Sequence, residues 1–185
     1  MMKKLKALAF VLALAAWTTI VEAQIPSSEY AARRAALAQK LGSGILVALG
    51  NPEPEEDFLS FNQNSNFKYL TDFHEPDAAL VMVIRNGAIV GSPLLFVQPS
   101  DPAREVWTGR RLGIPGVKST FGMEGRDAAT LAKVVDSLAA LDQSGTLYTV
   151  GRFNPPGELS TRDDQIIGTF LKSNTRLSAK NANDD

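Results

Sequence analysis

A histidine and three carboxylates lie close together in one short stretch of the chain. His74 is the only histidine among the 185 residues, and Asp72, Glu75 and Asp77 surround it. Imidazole and carboxylate groups are common metal ligands, so His74 is a weak candidate for a metal site. The alternative is a solvated loop before Pro76, because adjacent residues seldom point at one ion unless a helix or turn directs them. The loop interpretation is favoured.

A tryptophan beside two arginines forms a second group of residues that could bind a ligand or a partner. The three residues are Trp107, Arg110 and Arg111. An aromatic ring next to guanidinium groups can stack, and it can hold a carboxylate by paired hydrogen bonds. We therefore predict these three residues as substrate or interface candidates. The alternative is a partly buried tryptophan with surface arginines.

Residues of the common catalytic motifs are missing from the sequence. No Gly-x-Ser-x-Gly turn presents a serine nucleophile, and no Gly-Lys-Ser/Thr follows the glycines between residues 109 and 125. We predict no catalytic residues and no resident cofactor in this chain.

The first residues have the features of a secretory signal peptide. Three lysines precede an apolar run over residues 7–17, and Val21-Glu22-Ala23 places small residues before Gln24. The run is shorter than the ~20 residues that a bilayer span needs, which argues against a membrane anchor. The sequence therefore predicts an exported protein, periplasmic or extracellular, that begins at Gln24 and is not held in the membrane after cleavage.

The charge of the predicted mature chain is nearly balanced. Cleavage removes three basic residues and one acidic residue, which leaves 16 basic and 19 acidic residues and a net charge of −3. This balance indicates neither a nucleic-acid partner nor an anionic membrane surface. The chain contains no cysteine, so disulfides and lipoprotein anchoring are excluded.

An alternation of helical and strand patterns predicts an α/β fold. Residues 45–49 are continuously apolar, as in a buried central strand. Residues 78–85 and 88–97 flank Asn86-Gly87, which predicts a hairpin with Pro93 at a bulge or edge. Asp101-Pro102 starts one helix, and Asp127 caps a second that runs to Leu141. A mixed sheet flanked by helices accommodates both the hairpin and the strand–helix–strand connections.

The last part of the chain differs from the rest in residue composition. Asn154-Pro155-Pro156-Gly157 is typical of a linker, and Thr161 caps a short helix that reaches Leu171. Residues 178–185 are polar, which predicts a disordered tail. We therefore divide the chain into a signal segment (1–23), a domain (24–153), and a linker, helix and tail (154–185).

Two ordered blocks of sequence resemble the amino-terminal domain of Xaa-Pro aminopeptidases, a domain that is also found in prolidases and is related to that of creatinase. The blocks are FNQNSNFKYLTDFHEPDA at 61–78 and LFVQPSDPAREVWTGRRLG at 95–113. The resemblance covers roughly residues 30–153 and implies a mixed sheet of about six strands. One departure is Asp72, where the family usually has glycine, and this puts the conformation of that loop in doubt.

The resemblance also implies a function for longer proteins of this kind. Family members release an amino-terminal residue that precedes proline, using two metal ions, typically manganese, in a second domain. The ligands of those ions would come from that second domain, so this chain is predicted to be inactive alone. Expected partners are a catalytic domain of the same or a neighbouring subunit, proline-containing peptides in the longer enzyme, and further copies in a homo-oligomer. The alternative is a stand-alone secreted module that binds peptide or protein.

Overall fold

The computed structural model describes residues 25–55, 60–151 and 160–184. The helices are α1 (Ser27–Leu41), α2 (Ser65–Thr71), α3 (Pro102–Thr108), α4 (Gly113–Phe121), α5 (Leu131–Leu141) and α6 (Arg162–Ser173). The strands are β1 (Gly44–Leu49), β2 (Ala79–Arg85), β3 (Ala88–Ile89), β4 (Leu94–Val97), β5 (Glu124–Asp127), β6 (Thr146–Thr149) and β7 (Ser178–Asn181). The predicted signal segment, Gln24 and the predicted linker at 154–157 lie outside the described residues.

One mixed sheet organises the described part of the chain, as the sequence predicted. The strand order is β5-β4-β2-β1-β6-β7, with β3 paired to β2. Strand β2 is antiparallel to β1 and β4, whereas β6 runs parallel to β1, β5 to β4 and β7 to β6. The sheet thus has seven strands in this part of the chain, compared with the predicted six or so.

Strand β1 lies at the centre because both of its faces are apolar. All six of its residues are buried, which confirms the interpretation of residues 45–49 as a buried strand. Leu46 and Ala48 enter the core beneath α1, α2 and α4. Ile45 and Val47 enter the core beneath α5 and α6 on the opposite face. Helices therefore cover the sheet on both sides.

The Asn86-Gly87 hairpin forms as predicted. Asn86 and Gly87 have φ angles of 50° and 77°, the left-handed values that a tight hairpin turn of this kind requires. Its second arm is interrupted, because β3 pairs with β2 for only two residues before the chain reaches β4. Pro93 occupies this interruption, where the ladder does not need its missing N–H.

The prediction of a disordered tail is wrong, because β7 continues the sheet. Residues 178–181 pair with residues 146–149 of β6 in parallel register. The short helix after the predicted linker, α6, also belongs to the domain, because it buries Ile167 and Phe170 in the core with α5. The fold therefore does not end at residue 153. None of the helices in the described ranges is long and apolar enough to cross a membrane.

Candidate functional site

Helix α3 carries the predicted interface residue Trp107, and we call it the Trp107 helix. The Asp101 carboxylate accepts a hydrogen bond of 3.0 Å from the Ala103 N–H, and Pro102 occupies the first helical position. Gly109 ends the helix with a φ of 80°. The helix thus begins where the sequence predicts it.

The Trp107 helix lies on the surface rather than in the core. None of its seven residues is buried. Trp107 is 88% exposed and its neighbour Val106 is 77% exposed. The alternative of a partly buried Trp107 is therefore wrong. Trp107 and Val106 are the two most exposed large apolar side chains among the described residues, and contiguous exposed apolar surface often marks an interaction site.

The two arginines of the predicted group occupy different environments. Arg110 is exposed, whereas the side chain of Arg111 is only 8% exposed. The Arg111 Nη2 atom lies 2.9 Å from the Glu53 Oε1 atom, and the two groups form an ion pair. Arg110 is therefore available to a partner, and Arg111 is occupied within the domain.

A second carboxylate holds the connector, which we define as residues 109–112 between α3 and α4. The Leu112 N–H donates a hydrogen bond of 2.7 Å to the Glu75 Oε1 atom. The other carboxylate oxygen of Glu75 is buried and has no hydrogen-bond partner. Sequence reasoning treated Glu75 only as a possible metal ligand and missed this contact, because its partner lies 37 residues away.

A third carboxylate, Glu105, ties the Trp107 helix to the residues before it. Glu105 accepts hydrogen bonds from the Ser100 hydroxyl at 2.6 Å and from the Asp101 N–H at 3.2 Å. The Ser100 hydrogen bond lowers the pKa of Glu105, and the backbone N–H of Arg111 acts in the same direction. The ionised carboxylate is thus the form that closes this end of the helix.

Asp77 joins several elements at the carboxyl edge of the sheet. It has left-handed backbone geometry, with a φ of 55°. Its carboxylate accepts hydrogen bonds from Arg162 at 2.9 Å, Gln98 at 3.0 Å and the Glu53 N–H at 3.4 Å. The loop that bears Glu53 is therefore linked through Asp77 to the start of α6.

The candidate metal ligands do not converge on one point. His74 is 57% exposed in its side chain, and its Nε2 atom lies 3.3 Å from the Asp72 Oδ1 atom. Glu75 and Asp77 face the other partners described above. Among the residues that the structure describes, no three His, Cys, Asp or Glu side chains are placed to share a metal ion. The donors required by the implied manganese pair are thus not assembled in these residues.

Asp72 adopts the backbone conformation for which glycine is usually selected. It ends α2 with φ and ψ of 58° and 17°, and its N–H donates to the Lys68 carbonyl at 2.8 Å. Burial raises the pKa of Tyr30, and a hydrogen bond to Asp72 acts in the same direction. Aspartate thus adopts the left-handed backbone at the position where the resemblance leads us to expect glycine.

An open groove of about 560 Å³ runs beside the Trp107 helix. Its walls are α3 and the turn that begins at Asp127, and its polar lining includes Arg104, Glu105 and Arg111. Positively and negatively charged side chains line the groove together with the rings of Pro99 and Pro102. Charged and apolar groups thus line the same groove.

Comparisons with known proteins identify relatives of this chain. The model of the aminopeptidase P N-terminal domain matches residues 30–148. Xaa-Pro aminopeptidase 3 of Dictyostelium discoideum is 35% identical over 134 residues, which are 67% of this chain and 25% of that protein. The Xaa-Pro aminopeptidase of Haemophilus influenzae is 32% identical over 139 residues, which are 70% of this chain and 32% of that protein.

A solved structure shows the same fold. Zinc-substituted Escherichia coli aminopeptidase P, in complex with product, superposes with a TM-score of 0.67 at 25% identity. The match covers 81% of this chain and 33% of that one. The chain thus spans about a quarter to a third of the proteins that it resembles. It belongs to the aminopeptidase P N-terminal domain family.

Proposed function

We propose that this chain is the docking domain of an exported Xaa-Pro aminopeptidase, and that it contacts a catalytic domain through Trp107 and Arg110. The observation that carries the proposal is the 88% exposure of Trp107 on a helix with no buried residue. A large aromatic side chain gains most by leaving water, and tryptophan and arginine are enriched among the residues that dominate binding energy. The partner is the catalytic domain of the same or a neighbouring subunit, and in the second case the assembly is a homo-oligomer.

The chemistry of the complete enzyme would reside in the partner. That chemistry would be the release of an amino-terminal residue next to proline, and a pair of manganese ions held by the partner would supply Lewis-acid activation of water for it. Support comes from the two Xaa-Pro aminopeptidases that this chain resembles and from the zinc-substituted Escherichia coli enzyme with its bound product. In this proposal the chain's own contribution is to bind and orient, through the exposed Trp107 and Arg110.

Titration with a separately expressed Xaa-Pro aminopeptidase catalytic domain tests the docking proposal. Trp17 and Trp107 are the only tryptophans, and Trp17 lies in the predicted signal segment, so a chain that begins at Gln24 reports on Trp107 alone. Docking is expected to move the Trp107 emission to shorter wavelength, because the indole leaves water. Unchanged emission together with no binding by calorimetry would contradict the proposal.

The chain is expected to lack aminopeptidase activity when it is alone. Assays with an Arg-Pro-Pro peptide, with and without added manganese, should show no release of the amino-terminal residue. The reason is that the single histidine pairs with Asp72 on the surface and is not joined by two further donors from the described residues. Manganese-dependent release that a chelator abolishes would show that this expectation is wrong.

The groove beside the Trp107 helix favours one second candidate, a secreted peptide-binding module. It has room for several residues of an extended chain, and Arg104 and Arg111 line it with Glu105. Proline-containing peptides are the natural probes. If such peptides bind and the catalytic domain does not, the module interpretation replaces the docking interpretation.

A further inference from the structure

The Trp107 helix has no apolar anchor of its own. A seven-residue helix is far too short to be stable in water without tertiary support, and none of its residues is buried. Its order must therefore come from the polar contacts at its two ends. At the amino end these are the Asp101 cap and the Glu105 hydrogen bonds; at the carboxyl end they lie in the connector.

We propose that Glu53 and Glu75 are positioning residues that hold the connector and thereby fix the direction of Trp107. Arg111 belongs with them, as the partner of Glu53, rather than with the contact surface. The effect on docking rests on the proposed function, but the effect on the order of the helix does not.

The contact from Glu53 is shielded from solvent on the arginine side. The Arg111 side chain is 8% exposed and that of Glu53 is 34% exposed. Ion pairs that are partly removed from water are screened less than surface pairs. The Glu53 N–H donates a hydrogen bond to the Asp77 carboxylate, so the backbone that carries the Glu53 side chain is itself held in place.

The contact from Glu75 acts on the backbone of the connector itself. Its Oε1 atom accepts the Leu112 N–H at 2.7 Å, a distance typical of a charge-assisted hydrogen bond. The Glu75 main-chain carbonyl accepts a hydrogen bond of 2.9 Å from Gln63 Nε2, which holds the loop below. Two loops that are distant in sequence, one bearing Glu53 and the other Glu75, thus bind the adjacent residues Arg111 and Leu112.

Holding the helix in one orientation should strengthen docking without adding a contact. Binding a disordered segment requires that it be ordered at the same time, and this cost reduces the affinity. Glu53 and Glu75 would remove part of that cost in advance. Their loss should therefore mobilise Trp107 first and weaken docking as a consequence.

The experiment uses the chain that begins at Gln24 and two pairs of substitutions. Glu53→Ala and Glu75→Ala remove the acceptors, whereas Glu53→Gln and Glu75→Gln each keep an amide oxygen that can accept the same hydrogen bond. Glu55→Ala is the matched control, because Glu55 is an exposed carboxylate in the same loop. The readouts are time-resolved Trp107 anisotropy and amide exchange over residues 103–109.

Both alanine variants are expected to increase the amplitude of fast Trp107 motion about two-fold and to speed amide exchange about tenfold, as loss of a hydrogen bond to a charged group predicts. The glutamine variants should fall between the parent chain and the alanine variants, because they keep the hydrogen-bond acceptor and lose the charge. Glu55→Ala should remain near the parent chain. Unchanged anisotropy and exchange in the alanine variants, or equal changes in Glu55→Ala, would overturn the proposal. If the alanine variant at one of the two glutamates fails to fold, the alanine and glutamine variants at the other glutamate test the proposal.

Docking measured on the same variants separates the two proposals. Weakening of docking by about tenfold in the alanine variants, with docking of Glu55→Ala unchanged, supports both proposals. Increased Trp107 motion with no docking by any chain leaves the positioning role standing and rejects the docking function. Undiminished docking with unchanged motion rejects the positioning role alone.

Discussion

Trp107→Ala should weaken docking to the catalytic domain by about 2 kcal/mol or more, which corresponds to roughly a thirty-fold loss of affinity. The free energy of unfolding should change by only about 0.5 kcal/mol, because Trp107 is 88% exposed and surface substitutions have small effects on stability. Calorimetric titration and thermal unfolding of the same variant measure the two quantities.

Leu141→Ala is the matched control for this substitution. Leu141 is 72% exposed and lies on α5, so the change removes exposed apolar surface elsewhere on the domain. It should leave both affinity and stability near those of the parent chain. Equal weakening by Leu141→Ala, or a large fall in melting temperature for Trp107→Ala with normal docking of the folded protein, would reject the interface.

Phe170→Ala is expected to be the most destabilising of the substitutions considered. Phe170 is 2% exposed and packs with Val135, Ile167 and Leu177 in the core on the α5 and α6 face. Truncation of a buried phenylalanine costs about 3–5 kcal/mol. For a domain of this size the melting temperature should fall by roughly 10 °C.

Gln165→Ala, on the exposed side of the same helix, provides the control and should have little effect. Differential scanning calorimetry distinguishes the possible behaviours of α6. A single transition that Phe170→Ala shifts strongly agrees with one cooperative core. An unchanged main transition would mean that α6 is a peripheral connector, as the sequence pattern alone indicates.

Local stereochemistry explains which elements could be predicted from sequence. The Asn86-Gly87 turn needs left-handed backbone angles, and few other dipeptides adopt them easily. The Asp101 cap and the following proline likewise act within one helical turn. The continuous apolar run of β1 predicts burial on both faces whatever its neighbours are. In each case the signal lies within a few residues of the structure that it specifies.

Helix α4 and strand β7 show where local signals were insufficient. Helix α4 was not predicted because its first residues include Pro115 and Gly116, yet proline is tolerated in a first turn, where the N–H groups lack helical partners. Strand β7 is short and polar, and it forms because its backbone pairs in parallel with the backbone of β6. Its apolar pattern is too weak to reveal it.

Sequence patterns were sufficient to predict the family, the α/β class, the buried strand and the helix that carries Trp107. Three-dimensional contacts were needed to show that Arg111 turns to Glu53 while Arg110 stays exposed, since Arg111 and Glu53 are 58 residues apart. The same holds for Glu75 and the connector. Hydrogen bonds between distant loops depend on where the sheet places those loops, and no periodicity or turn signal in the chain encodes that proximity.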